Sequence, residues 1–269
     1  MPIPSESPER KAMRKPLRSL ERHITGLEPD HQIEMDSSEI DQIRFLPMVL
    51  DEDSKDRPTY FSPIPASFFV NPDDEFDKEK DLEYPDFDSL PEDDKSPFDC
   101  ARLVDHHFSC YASSYYYSKT PPGGEIVWSS ITTHKRVYKD LDRYKYPEFW
   151  TMSYQGVKEG PFAHMKTCIL NNLNANDDQI LQGELLPILR LMIAHLRRAR
   201  FIDHMVAPVM AFSFMGPQHA RVIEAYMDGH TVVVRTTKLY DLRTKDAAAF
   251  ETFAQWYYGK PRAPTGSSQ

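Results

Sequence analysis

Apolar positions in the last third of the chain fall into three successive runs, VAPVMAFSFM, HARVIEAYM and HTVVVRTTKL. Their β-branched and aromatic content favours a pleated backbone. Gly216-Pro217 breaks the first run from the second, and Asp228-Gly229 separates the second from the third. Asp-Gly between β-prone runs predicts a hairpin with a two-residue type I′ turn, which needs positive φ at both positions. On that register Met227 opposes His230 and Glu224 opposes Val233. Ile223, Ala225 and Met227 then share the core face with Val232 and Val234. Glu224 and Arg235 become diagonal neighbours on the other face.

Helical spacing brackets these strands. Leu181, Leu185, Leu189 (or Ile188), Met192 and Leu196 recur at intervals of three and four, which predicts a helix over about Asp177–Arg200. Asn176 is its expected N-cap, with Gln179 three residues on. Asp177 and Asp178 suit the positive end, and Arg197, Arg198 and Arg200 the negative end. Pro187 is expected to kink or restart it. A second helix over Asp246–Tyr258 presents Ala249, Phe250, Phe253, Ala254 and Tyr257 on one side, and Gly259 and Pro261 stop it. The order helix, three strands, helix predicts an α+β fold with helices on one face of a mainly antiparallel sheet.

Upstream the pattern is less regular. PFAHMKTCILNNLN reads as a helix with Pro161 near its first turn. WTMSYQGVKE reads as a short strand or loop, and PPGG marks a loop. A short helix over Pro16–His23 would be marginal alone. The fragments around Phe45 and Phe68 offer an edge strand.

Composition then sets the expected boundaries. Among 269 residues Pro (22) outnumbers Gly (10), and the mean hydropathy is -0.57; both point to a fraction outside any core. Within the net charge of -9, residues 51–99 hold 17 acidic against 5 basic side chains. The expected layout is a polar, basic arm over 1–50, an acidic Pro-rich linker over 51–99, an α+β domain over 100–260 and a disordered tail over 261–269. The acidic N-terminal region is expected to be largely disordered, or to lie across a basic face of the domain. Three cysteines (Cys100, Cys110, Cys168), an odd and sparse set, suit a reducing compartment. No signal sequence or membrane-length apolar run is present. An intracellular protein with no membrane partner is expected, cytoplasmic or nuclear. The cluster Arg10, Lys11, Arg14, Lys15, Arg18 reads as a solvated basic arm or a nuclear address.

Candidate chemistry is sparse. His106, His107 and Cys110 lack the paired spacing of a zinc site, and no P-loop, GxGxxG, GxSxG or HExxH occurs. No metal or cofactor is expected. Lys135, Arg136, Lys139 and Arg143 interleave with Tyr138 and Tyr144, a pattern that can stack bases or grip phosphates, or form only a solvated face. The Glu224–Arg235 pair is either a cross-strand ion pair, worth about 0.2–1 kcal/mol if exposed, or part of a site.

The helix–three strands–helix order resembles the restriction-endonuclease-like PD-(D/E)xK nuclease fold. That resemblance implies two metal-binding acids on the second and third strands, with a helical Glu completing the set. Here it maps Glu224 onto the second strand and Glu184 onto the helix. HTVVVRTTKL carries no acid, so Glu184, Glu224 and Arg235 remain as the catalytic candidates. The segment from Val206 to Arg243, with the following AAAFETFAQWYYGKP, is similar to the C-terminal part of a group of intracellular proteins of filamentous fungi. That similarity implies a lineage and carries no catalytic residues. The expected function is a non-enzymatic protein-interaction module. The alternative is a degenerate or divergent nuclease-like domain that binds nucleic acid.

Overall fold

The computed structural model describes residues 7–36, 40–69, 84–117, 127–131, 137–159, 162–202 and 204–263. The first half contributes α1 (Pro8–Thr25), β1 (Gln32–Glu34), β2 (Ile43–Pro47), β3 (Phe61–Ser62), α2 (Pro97–Tyr117) and β4 (Trp128–Ser130). Then come β5 (Phe149–Val157), β6 (Met165–Asn174), β7 (Gln179–Leu181) and α3 (Gln182–His195). The C-terminal part holds β8 (Val209–Gly216), β9 (His219–Asp228), β10 (Thr231–Thr236), β11 (Tyr240–Asp241), α4 (Ala247–Tyr258) and β12 (Lys260–Pro261).

The fold is α+β. Its large sheet runs β2-β10-β9-β8-β6-β5-β4, with β11 beside β9. All pairs are antiparallel except β2 with β10 and β6 with β8. The expected core is present as α3, β8, β9, β10 and α4. The parallel β6–β8 pair needs a crossover, and α3 supplies it. Gly183 lets that helix approach closely, because a Cβ there would lie 2.7 Å from Cβ of Phe149.

Helices cover both faces of the sheet, not one. Ile169, Ala211, Ile223, Ala225 and Val234 face α1 and α3. Leu170, Phe212, Phe214 and Val222 face α2 and α4. Strict alternation sends neighbouring residues into two separate cores. This is why PFAHMKTCILNNLN is the central strand β6 and not a helix. A strand buried on both faces reads as an unbroken apolar run, which periodicity cannot separate from a buried helix.

The packed fold begins well before residue 100. On α1, Met13, Leu17, Leu20 and Ile24 are buried at helical spacing, and that stripe packs on the core with α3. Each such side chain contributes about 1.5–3 kcal/mol on burial, which carries a helix that local propensity alone leaves marginal. Part of the basic cluster is a C-terminal cap for α3. Arg14 Nη1 donates to the Leu196 carbonyl at 2.9 Å and Arg10 Nη2 to that of Arg198 at 3.4 Å. Cations belong at that end of a helix. Strand β2 supplies the expected edge around Phe45. The acidic belt is anchored at its described ends. Phe69 is buried, the Tyr84 hydroxyl donates to the Leu242 carbonyl at 2.6 Å, and the Phe87 amide to that of Arg243 at 2.7 Å. Composition sets the linker at 51–99 because it counts charges and cannot see where the few apolar anchors land.

Two local corrections have clear causes. Helix α3 starts at Gln182, not Asp177, because Gln179, Ile180 and Leu181 pair with β1 in extended form. It runs through Pro187 without restarting. The hairpin loop is Gly229-His230, with Thr231 opposite Asp228. Only Gly229 takes positive φ, at 60°, matching a turn with glycine at its first central position.

Candidate anion-binding cleft

The hairpin register places Glu224 directly opposite Arg235. Each residue's partner moves by two positions from the expected pairing, so the faces stay as expected and the diagonal becomes a direct pair. The face itself is covered: Glu224 is fully buried and Arg235 is 8% exposed. Residues 57–60 cover it. Glu224 Oε1 accepts the Tyr60 amide at 2.7 Å and Oε2 accepts that of Thr59 at 2.9 Å. Burial pushes the Glu224 carboxyl above its ordinary range, while those two amides and Arg235 oppose the rise.

Arg235 is held by one end only. Its Nη1 donates to the Arg57 carbonyl at 2.5 Å and to Thr59 Oγ1 at 2.9 Å, and lies 3.7 Å from Glu224 Oε2. The other edge of the guanidinium, Nε and Nη2, makes no hydrogen bond among the described residues. Arg235 lines a cleft of about 340 Å³ with Asp53, Lys55, Arg57, Thr59 and Arg262. Four cationic side chains thus face one carboxylate. Lys55, Arg57 and Arg262 form no ion pair among the described residues. Arg57 Nη1 instead donates to the Glu52 carbonyl. Arg262 is fixed through its backbone, whose amide donates to the Tyr60 carbonyl at 2.7 Å and whose carbonyl meets His164 Nε2 at 3.1 Å.

The other candidates lie elsewhere. Glu184 faces the opposite core, where it accepts from Arg221 Nε at 2.8 Å and Nη2 at 2.5 Å and from the Leu181 amide at 2.9 Å. On β9, Arg221 and Glu224 are an odd number of positions apart, so Glu184 and Glu224 sit on opposite sides of the sheet and do not form a site together. Among the described residues no cluster of three or more His, Cys, Asp or Glu is placed to hold a metal ion. His106 and Cys110 lie one helical turn apart at 3.9 Å, whereas His107 is buried against Tyr84 and Phe250.

The expected basic–aromatic face is dispersed. Tyr138 is buried, its hydroxyl accepting from Arg198 Nη1 at 3.4 Å. Arg143 is engaged with the carbonyls of Pro147 and Pro29 and with Gln182 Oε1. Lys139 is exposed and so is Tyr144, at 73%. Lys135 and Arg136 lie outside the described residues. The spacing of bases and tyrosines hid that two of them serve the core and the backbone.

Sequence reasoning missed three features. Arg57 and Arg262 stand 205 positions apart, and only the β3–β12 pairing and the Glu224 clamp bring them together. Lys166 is fully buried and its Nζ donates to the carbonyls of Trp256 at 2.7 Å, Tyr257 at 2.9 Å and Gly259 at 2.7 Å. Burial lowers its pKa, yet three acceptors call for the three protons of an ammonium, and it caps α4. His164 is buried behind the cleft, against Tyr60, Phe61 and the Arg262 carbonyl, and burial takes it down to about 4.

No family model, curated protein or solved structure matches the chain. No helix among the described residues is long and apolar enough to cross a membrane.

Proposed function

We propose that this chain is a non-enzymatic protein-interaction module that engages a negatively charged element of its partner through the Arg57–Arg235–Arg262 cleft. The observation that carries this reading is the cleft's charge: four cations face one exposed carboxylate in a chain whose net charge is -9. Such a concentration steers association with anions and accelerates their encounter. The carboxylates first suspected of catalysis support it from the other side. Glu184 holds one backbone amide and Glu224 two, each beside a guanidinium, which is the work of a scaffold.

The test is the binding of a labelled Asp/Glu-rich dodecapeptide, followed by fluorescence anisotropy at two salt concentrations. The Arg57→Glu/Arg262→Glu double variant should lose at least tenfold in affinity, and added salt should weaken the wild type. An affinity unchanged by charge reversal would sink the reading.

A further inference from the structure

We infer that the group recognised in this cleft is a phosphate monoester, and that its natural source is a phosphorylated side chain of the partner protein. The inference rests on the binding reading above and names its ligand. Three arginines converge here, and a guanidinium presents its donors as a planar fork matched to oxoanions. Arg235 is oriented before any ligand arrives: Arg57's carbonyl, Thr59 Oγ1 and Glu224 hold Nη1, so the Nε–Nη2 edge is the fork left for a ligand. A carboxylate brings two oxygens and a single charge to three guanidiniums. A phosphate monoester offers three terminal oxygens and up to two charges, enough for Arg235, Arg57 and Arg262 together. Among the described residues Asp53, which is exposed, is the one carboxylate lining the cleft, while Glu224 lies behind Arg235 and is engaged by the amides of Thr59 and Tyr60. A volume of about 340 Å³ is at the small end of ligand sites, suited to one phosphorylated side chain and tight for a nucleotide. Exposed Lys55 at the rim adds a point charge for approach.

Calorimetric titration of the full chain decides it. The probes are a capped Ala-Ala-pSer-Ala-Ala peptide, its counterpart with Glu at the central position, and phenyl phosphate. The phosphopeptide should bind at least tenfold tighter than the Glu peptide. Its affinity should rise between about pH 5.5 and 7.5, as the second phosphate proton leaves near pH 6. Arg262→Gln and Arg57→Gln, which remove surface forks and leave the Glu224 clamp in place, should each reduce phosphopeptide affinity at least tenfold. Circular dichroism would confirm that both variants are folded. Phenyl phosphate binding as tightly as the phosphopeptide would support phosphoryl recognition and overturn the assignment of a protein source. Equal binding of the phosphopeptide and the Glu peptide would overturn the phosphoryl assignment while leaving the interaction reading intact. Binding of neither would overturn both, and full affinity in the two Arg variants would overturn the site.

Discussion

Two buried Glu–Arg pairs flank the same sheet, one on each side, and they are built differently. Glu184 and Arg221 meet in a two-pronged bridge, both side chains fully buried, with the carboxylate also closing the first turn of α3. Glu224 and Arg235 stand 3.7 Å apart, and the carboxylate gives its best bonds to backbone amides of residues 59 and 60. Arg235 keeps part of its guanidinium at a cleft. The closed pair has nothing left to offer a ligand. The looser pair fastens a loop from within and presents a fork to the outside. A shared residue pair therefore says little about role; what decides it is how many of the guanidinium's donors the protein itself uses.

The sharpest way to break this comparison is Arg221→Met. It leaves the Glu184 carboxylate buried without its counter-ion and should cost about 3–5 kcal/mol in urea unfolding. The matching change on the other face, Glu224→Gln, keeps one amide acceptor and exposes nothing, so a smaller loss of about 1–3 kcal/mol is expected. Equal losses from the two variants would refute the distinction between a closed and a half-open pair.

Histidines test both faces by pH. His164 behind the cleft and His195 at the end of α3 are buried, and burial takes them down to about 4 and about 3. Their folded-state pKa values lie below the unfolded one, so the unfolded chain takes up protons first as pH falls. Their contribution to stability should be intact above pH 6.5 and decline from there toward pH 4 and 3, by roughly 3–5 kcal/mol for each group. Urea midpoints of the Asp105→Asn variant, which lacks the buried carboxyl that titrates in the opposite sense, would record the decline across pH 3–8, and a flat profile between pH 6.5 and 4 would contradict it.

Asp105 on α2 extends the series as a buried carboxylate with no guanidinium. Its Oδ1 has no hydrogen-bond partner among the described residues, and burial raises its pKa to about 7. A raised value means stability that is present below pH 4 and lost as pH climbs through 7. Asp105→Asn should accordingly stabilise the protein by about 1–2 kcal/mol at pH 8 and have little effect near pH 4. Thermal melts at the two pH values would show it. The smallest effect belongs to Arg262→Ala: about 0.5 kcal/mol or less in stability, alongside the loss of anion binding.

Much of the core was legible. The spacing from Leu185 to Met192, the three β runs and the α4 pattern with its Gly259-Lys260-Pro261 end correspond to packed elements, because period alone encodes which side is buried. The hairpin's two faces were legible too, since a register error of two positions preserves parity. The directness of the Glu224–Arg235 pair was not, because Asp-Gly allows more than one loop and the longer pairing aligns two buried polar groups. Strand β6 was unreadable for the opposite reason: burial on both sides erases the alternation that marks a strand.

The sequence by itself determined the class of fold, the alternating faces of β9 and β10 and the helical spacing of the apolar residues in α3 and α4, all local consequences of side-chain period. Only the tertiary structure decided that α1 caps α3, that Lys166 caps α4, and that Glu224 draws residues 57–60 onto the sheet beside Arg235 and Arg262. Those arrangements depend on which backbone amides and carbonyls come within about 3 Å of a charged group. Chain neighbours do not set that distance; the packing of two helical layers against one sheet does.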